Sequence, residues 1–124
     1  MRPKGFETAH CSRVMALDAS LGVDHENDRV RFVLTVTNRS DEPITARFSN
    51  SCRIDVTVTA DGTEYWRYTD GRAFAQVIGE ERFEPGEARR FAVEWTDPDE
   101  GTYTATGVLT AQDQPCEATT AFTV

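Results

Sequence analysis

The sequence has little of what catalysis needs. It has only two histidines, His10 and His25. Cys11 adjoins His10, but it lies in a segment without strand or helix periodicity, which cannot hold a thiol and an imidazole in a fixed geometry. The three cysteines, which include Cys52 and Cys116, show no Cys-X-X-Cys spacing of the kind that binds zinc or forms a dithiol centre. We therefore expect a protein that is not an enzyme and that has no cofactor.

Lysine is nearly absent, and acidic residues outnumber basic ones. Lys4 is the single lysine beside 12 arginines, and 21 acidic against 13 basic residues give a net charge of -8. Nucleic acid is not an expected partner, because phosphate binding needs clustered lysine and arginine. An acidic, lysine-poor composition is typical of proteins in a high-salt cytoplasm, where ions screen the repulsion between like charges. We therefore predict a halophilic protein.

Long hydrophobic runs are also missing. No run approaches the roughly 18 apolar residues that a membrane-spanning helix needs, and the N-terminus lacks the apolar core of a secretory signal peptide. The sequence therefore predicts a cytoplasmic protein without a membrane partner. Residues 24–28 and 97–100 are acidic, but neither segment has the glycine and glutamate spacing of an EF-hand. We interpret both segments as solvated loops and expect no metal.

The length of 124 residues corresponds to one domain with an independent hydrophobic core. Residues 1–13 show no hydrophobic periodicity, and we expect them to form a disordered leader. Residues 14–124 are then the single folded domain. The sequence leaves open whether Met1 or Met15 is the native start.

Strand patterns dominate the rest of the chain. The sequence contains 16 threonines, many of them alternating with valine, phenylalanine or alanine, and β-branched residues favour the pleated surface of a sheet. The clearest pattern places Val30, Phe32, Leu34 and Val36 on one face. Predicted strands, including one short apolar segment, cover residues 15–22, 30–37, 44–48, 52–60, 63–68, 74–78, 91–95, 103–109 and 116–124.

Turn signals separate these strands every eight to twelve residues. Asp61-Gly62 predicts a two-residue hairpin turn with positive φ angles, and residues 84–87 (Glu-Pro-Gly-Glu) predict a tight turn. Residues 38–43 predict a third turn. Gly101-Thr102-Tyr103 is typical of a tyrosine corner, in which the hydroxyl bonds to nearby backbone. Short strands without a helix predict an antiparallel, all-β, Ig-like or fibronectin-III-like sandwich of about eight strands.

Four segments together resemble the BsuPI family of intracellular proteinase inhibitors. They are the turn at residues 38–44, the aromatic segment at 61–74, the Phe-Glu-Pro-Gly-Glu turn at 83–87 and the Gly-Thr-Tyr at 101–103. The part from Trp66 to Phe74 is the most specific. Tyr68 stands where the family usually has tryptophan, and Phe83 where leucine is common. The resemblance covers about residues 15–124.

The resemblance implies an intracellular Ig-like domain, since the founding member of the family inhibits a cytoplasmic serine protease. On this basis we predict a non-catalytic inhibitor that blocks a cytoplasmic subtilisin-like serine protease through an exposed loop. The alternative is a non-inhibitory Ig-like module that binds another protein. The two alternatives share a protein partner.

Two segments are candidates for the contact with this partner. Protease inhibitors present a rigid loop whose preorganisation supplies the affinity, and polar residues after Trp66 predict such a loop. The first candidate, with Arg72 as its most prominent side chain, consists of Thr69, Asp70, Gly71, Arg72 and Ala73. The second candidate loop consists of Glu80, Glu81, Arg82, Glu84, Pro85 and Gly86. We interpret Trp66 and Phe74 themselves as core residues.

Cys52 and Cys116 both lie at strand starts and share parity with the inward-facing residues of their strands. Two interpretations stay open. They can be buried thiols that act as small hydrophobic residues, or they can form a disulfide that closes a long loop, although disulfides are rare in the cytoplasm.

Overall fold

The computed structural model describes residues 17–114 and 116–124. Within these residues the chain forms nine strands and the connections between them. No helix in this part of the chain is long and apolar enough to span a membrane. The strands are β1 (Leu17–Glu26), β2 (Arg29–Asn38), β3 (Ile44–Phe48), β4 (Ile54–Ala60), β5 (Thr63–Arg67), β6 (Gly79–Phe83), β7 (Ala88–Thr96), β8 (Thr102–Leu109) and β9 (Cys116–Thr123).

The strands pair into three antiparallel sheets. Their orders are β1-β2-β7, β3-β6 and β5-β4-β8-β9. The three-stranded and four-stranded sheets face each other, and their contact is tight at Gly107 of β8. A Cβ at that position would lie 3.2 Å from the side chains of Leu21 and Leu34. The all-β antiparallel Ig-like sandwich is thereby confirmed.

The alternation of apolar residues places the core. Val30, Phe32, Leu34 and Val36 of β2 are fully buried, as predicted. The inward residues of β4, β8 and β9 face them across the sandwich. A hydrophobic core therefore forms between two sheets whose outer faces carry threonine and charged side chains.

The hairpin predicted at Asp61-Gly62 is confirmed. Both residues have positive φ angles, 51° and 80°, and they join β4 to β5. Glycine tolerates this region because it has no Cβ, and aspartate tolerates it better than most residues. The tight turn at residues 84–87 is also confirmed, since Glu87 N donates to Glu84 O at 2.9 Å.

The predicted end of the first strand is wrong. β1 continues to Glu26, where it pairs with Arg29 of β2, so the connection shrinks to the turn at Asn27 and Asp28. Residues 24–26 therefore belong to a strand and not to a loop. Backbone hydrogen bonds continue the hairpin beyond its apolar part, while the polar side chains stay in solvent. Residues 1–13 and Met15 lie outside the described residues, so the predictions on them stay predictions.

The prediction for residues 74–86 is also corrected. Residues 72–78 contain no regular secondary structure, whereas Gly79–Phe83, expected in a loop, forms β6 and pairs with β3. The sequence of β6 does not show the apolar–polar alternation of a strand, because the charged residue Glu81 occupies a half-buried, inward-facing position. Its carboxylate is paired with Arg53 and Arg89 at 2.8 and 2.7 Å, which compensates the charge.

The side chain of Asn38 joins two turns at the end of β2. It is the fully buried polar side chain of the described residues. Its Nδ2 donates to Glu42 O at 2.8 Å and to Phe83 O at 3.0 Å. Its Oδ1 accepts hydrogen bonds from the backbone N and the Oγ of Ser40 at 2.9 and 2.8 Å. The amide thus bonds to the carbonyls of both β6 and the turn at residues 38–43, and the one in β6 is buried.

The backbone of Asn38 forms a second connection. Its N donates to Glu87 O, and its O accepts from Gly86 N, both at 2.9 Å. Gly86 adopts a φ of 78°, which a glycine reaches without strain. One residue therefore fixes the two-stranded sheet β3-β6 against the end of β2.

Tyr103 forms the predicted tyrosine corner. Its ring is buried between the sheets, and its hydroxyl donates to Asp99 O at 2.8 Å. Burial raises the pKa of Tyr103 above its ordinary value of 10.0, and the nearby charges of Asp99 and Tyr65 raise it further.

Replacing Asn38 by alanine should destabilise the fold strongly. The substitution removes the buried hydrogen bond to Phe83 O and leaves the Oγ and N of Ser40 without their Asn38 acceptor, so we expect a loss of about 2 to 3 kcal/mol in the free energy of unfolding. Asn50→Ala is the control, since the side chain of Asn50 accepts one hydrogen bond from Cys52 N at 2.9 Å. Urea unfolding followed by fluorescence measures both losses, and equal losses would contradict the role of Asn38.

Tyr103 should also make the stability sensitive to alkaline pH. Because its folded-state pKa is raised, the stabilisation that the protonated Tyr103 hydroxyl contributes to folding is complete below about pH 10. This stabilisation is lost as the pH rises through the folded-state pKa. Tyr103→Phe should be less stable near neutral pH but should lose less stability above about pH 10. Thermal unfolding as a function of pH tests this, with Tyr68→Phe, which keeps its aromatic ring and is not among the groups that shift the Tyr103 pKa, as control. An unchanged alkaline loss in Tyr103→Phe would contradict the assignment.

Candidate functional site

The chain between β5 and β6, residues 68–78, is the candidate site, and we name it the β5–β6 connection. β5 is the edge strand of the four-stranded sheet, and β6 belongs to the two-stranded sheet. The connection therefore crosses from one sheet to another at the surface. It contains the first predicted loop, Thr69 to Ala73, and continues to Ile78.

The first part of the connection is a compact turn. Tyr68 N donates to Val56 O at 2.9 Å, which extends the pairing of β5 with β4 by one bond. Asp70 N then donates to Arg67 O at 3.1 Å, and Arg72 N donates to Thr69 O at 3.2 Å. Gly71 has a φ of 76°, a value that favours glycine. The tip of the turn, residues 70–72, is exposed to solvent. Its backbone hydrogen bonds nevertheless hold it in one conformation.

Asp55 of β4 anchors this turn. Its carboxylate accepts hydrogen bonds from the Oγ1 and the N of Thr69 at 3.1 and 3.3 Å. The same carboxylate pairs with Arg67 at 3.0 Å, and the hydrogen bonds to Glu64 and Asp55 raise the pKa of Arg67 above its ordinary value. Thr69 consequently lies half-buried against the sheet rather than in solvent.

Arg72, the side chain predicted to be most prominent, folds back on the turn. Its Nε donates to Tyr68 O at 2.7 Å, and its guanidinium lies 4.3 Å from the centre of the Tyr68 ring. A cation over an aromatic face is attracted to the ring quadrupole. Arg72 therefore stabilises the turn from which it was expected to project.

The second part of the connection is the apolar segment Ala73 to Ile78. Ser51 holds its middle, since Ser51 N donates to Ala75 O and Ala75 N donates to Ser51 Oγ, both at 2.9 Å. Phe74 is half-buried with its ring 6.3 Å from that of Tyr68, centre to centre. Val77 and Ile78 point into solvent, with 62% and 81% of their surface exposed.

The end of the connection is fixed by the packing of Arg53 against Gly79. A Cβ on Gly79 would lie 2.6 Å from the Nη2 of Arg53, so only glycine fits here without a shift of that side chain. Arg53 is itself held by Glu81, by the carbonyl of Asn50 at 2.9 Å and by the Phe48 ring at 4.4 Å. Gly79 also pairs with Phe48 of β3, so the backbone directly after Ile78 is well determined.

A shallow groove of about 220 Å³ lies beside the connection. Tyr68 and Phe74 form one side, residues 91–93 of β7 form the other, and residues 51–54 form the floor. The groove is open to solvent and mostly apolar in its side chains. The aromatic residues of the connection, Tyr68 and Phe74, therefore line this groove.

The second predicted segment does not form one loop. Glu80, Glu81 and Arg82 lie in β6, and Glu84, Pro85 and Gly86 form the tight turn that follows. Glu87 closes this turn, because its carboxylate accepts a hydrogen bond from Glu84 N at 2.8 Å. Hydrogen bonds from Arg89 and from the backbone of Glu84 lower the pKa of Glu87. A contact role for this segment stays a prediction.

Sequence reasoning missed two features of the site. The apolar composition of residues 74–78 predicts a strand that includes Val77 and Ile78, but the structure shows none there. The signals against a strand are Gly79, which follows it, and the single polar residue Gln76, where a half-buried strand would alternate. The anchors Ser51 and Asp55 carried no motif. Their role depends on contacts between residues far apart in the chain.

The cysteines lie away from this segment's exposed side. Cys52 is a buried thiol whose Sγ lies 3.2 Å from Ile54 O, and burial raises its pKa. Cys116 opens β9, and β8 lies between β9 and β4. The hydrogen bond from the buried Cys52 thiol to Ile54 O fits the buried-thiol interpretation, and the disulfide stays a prediction.

The described ranges, 17–114 and 116–124, contain no group of three histidine, cysteine or acidic side chains close enough to hold a metal ion. The segment at residues 24–28, considered as a cation site, is divided between β1 and the following turn.

Comparisons of the fold give distant relatives. The chain resembles a β-glucosidase from Kluyveromyces marxianus with 13% identity and a TM-score of 0.51, covering 90% of this chain and 14% of that one. It resembles the CARDB domain of a Pyrococcus furiosus protein with 17% identity and a TM-score of 0.50, covering 88% and 94%. For the sporulation control protein Spo0M of Bacillus subtilis the identity is 15%, the TM-score 0.50 and the coverage 88% and 48%.

These similarities support the Ig-like fold and carry no information on activity. The chain spans only 14% of the β-glucosidase that it resembles. No curated protein matches the sequence.

Comparison with family sequence models is more specific. The model described as intracellular proteinase inhibitor matches residues 17–114, which run from β1 through the connection after β8. The match includes the turn that Asn38 holds by hydrogen bonds, the β5–β6 connection and the tyrosine corner. Since it covers well over half of the sequence, this chain belongs to the BsuPI family of intracellular proteinase inhibitors.

Proposed function

We propose that this protein is a non-catalytic, stoichiometric inhibitor of a cytoplasmic subtilisin-like serine protease, and that the β5–β6 connection enters the protease cleft. Membership in the family supports inhibition of a proteinase. The observation that carries the choice of surface is the apolar segment Ala73 to Ile78, which is exposed at its end and anchored at Ala75.

The anchoring of the β5–β6 connection matters because it reduces the conformational entropy that the inhibitor loses on binding. A flexible peptide loses conformational entropy on entering a cleft, and this cost lowers its affinity. Thr69 on Asp55, Ala75 on Ser51 and Gly79 under Arg53 restrict the connection before binding. The protein then loses little further freedom when it binds.

The alternative is a module that binds another protein through the same surface without inhibiting a protease. It stays a prediction and gives a different experimental result. Such a module leaves protease activity unchanged at molar excess, whereas an inhibitor removes it in proportion to the amount added.

Titration of the intact protein against a subtilisin-type protease tests the function. We expect a saturable loss of peptidase activity that reaches completion near one inhibitor per protease, in buffers from low salt to about 1 M salt. A variant in which residues 73–78 are replaced by six Gly/Ser residues should bind far more weakly, while the control Tyr65→Ser should inhibit normally. Full protease activity at molar excess, with or without cleavage of the domain, would refute the proposal.

Loosening the middle anchor should weaken inhibition without unfolding the domain. Ser51→Ala removes the acceptor for Ala75 N, a bond worth about 1 kcal/mol, so we expect roughly fivefold weaker inhibition. The variant should also be cut faster within residues 73–78. Ser49→Ala, on an exposed neighbouring residue, is the control, and inhibition constants with mass analysis of fragments provide the measurement. Identical behaviour of both variants would contradict the role of Ser51.

A further inference from the structure

We infer that Ile78, supported by Val77, is the side chain that determines specificity, and that the target has an apolar specificity pocket rather than an acidic one. This inference rests on the proposed function. It names the chemistry of the partner's pocket and replaces Arg72 as the residue expected to enter it.

Arg72 is engaged within the protein itself. Its Nε is bonded to Tyr68 O at 2.7 Å, and its guanidinium lies over the Tyr68 ring at 4.3 Å. Insertion into an acidic pocket would break both contacts with Tyr68. An arginine that closes its own turn is poorly placed to serve as the side chain that a protease reads.

Ile78 has the opposite surroundings. With 81% of its surface exposed it is the most exposed large hydrophobic residue in the described part of the chain, and the adjacent Val77 is next at 62%. Isolated apolar residues on a surface are ordinary. Two consecutive aliphatic side chains at the end of an anchored segment are different, because they form one apolar projection of the connection.

The position of Ile78 is fixed from the C-terminal side. The next residue, Gly79, begins β6 and pairs with Phe48 of β3. A Cβ at Gly79 would lie 2.6 Å from the Nη2 of Arg53. Arg53 is held in turn by Glu81 and Asn50. The Ile78 side chain is therefore presented from a determined backbone, which is the condition for recognition by a shaped pocket.

The size of the effect follows from burial. Moving a nearly fully exposed isoleucine into an apolar pocket strengthens binding by roughly tenfold to hundredfold. An acidic pocket would gain nothing from this side chain, since a buried carboxylate there would be left without a cation. Comparing proteases with apolar and acidic specificity pockets therefore shows whether Ile78 or Arg72 enters the pocket.

Three proteases serve as probes: subtilisin, chymotrypsin with its hydrophobic pocket and trypsin with its aspartate-bearing pocket. The intact protein should inhibit subtilisin or chymotrypsin and should leave trypsin active. Ile78→Ser should weaken the inhibition by roughly tenfold to hundredfold. Arg72→Ala removes two contacts of the turn, so it should weaken inhibition by no more than the roughly fivefold expected of Ser51→Ala. The exposed control Tyr65→Ser should change it by less than about threefold, which is the range of a surface substitution. Thermal unfolding verifies that each variant is folded.

A gain of function completes the test. Ile78→Arg offers a cation at the same fixed position, so this variant should inhibit trypsin and lose inhibition of the protease with the apolar pocket. If Ile78→Ser inhibits as well as the intact protein while Arg72→Ala does not, the inference is wrong and the proposed function survives. If the intact protein inhibits none of the three proteases, the proposed function fails and the inference fails with it.

Discussion

The buried amide of Asn38 is the interaction on which the rest of the structure depends. The two-stranded sheet β3-β6 shares no strand with the larger sheets, so a specific contact must hold it in place. Asn38 provides that contact, since its side chain bonds to Phe83 O and its backbone bonds to Gly86 and Glu87. With β6 placed, the end of the β5–β6 connection is placed as well.

Polar contacts and apolar exposure have separate roles in this domain. Sheet packing around Phe32 and Trp95 supplies the stability, while single polar residues such as Asp55 and Ser51 shape the surface. This division lets an aliphatic side chain stand in water at a determined place. A loop held by hydrophobic burial alone would have hidden Ile78.

The sequence predicts the fold well and the site only in part. Alternation identifies β2, β4 and β8 because their inward residues are uniformly apolar. It fails at β6, where Glu81 faces inward and is compensated by Arg53 and Arg89, and at residues 74–78, where apolar residues lie in solvent. The composition of the loop around Arg72 is visible in the sequence. That Arg72 folds onto Tyr68 is not, because the contact depends on the geometry of the turn.

The first and last of the three anchors of the connection also determine what a cut between them would do. The new carboxyl end would stay attached through Thr69 to β4, and the new amino end would stay attached through Gly79 to β6. Both ends would then face each other at an effective concentration far above that of two free peptides. Religation would compete with release of the fragments, and the nicked molecule would keep its shape.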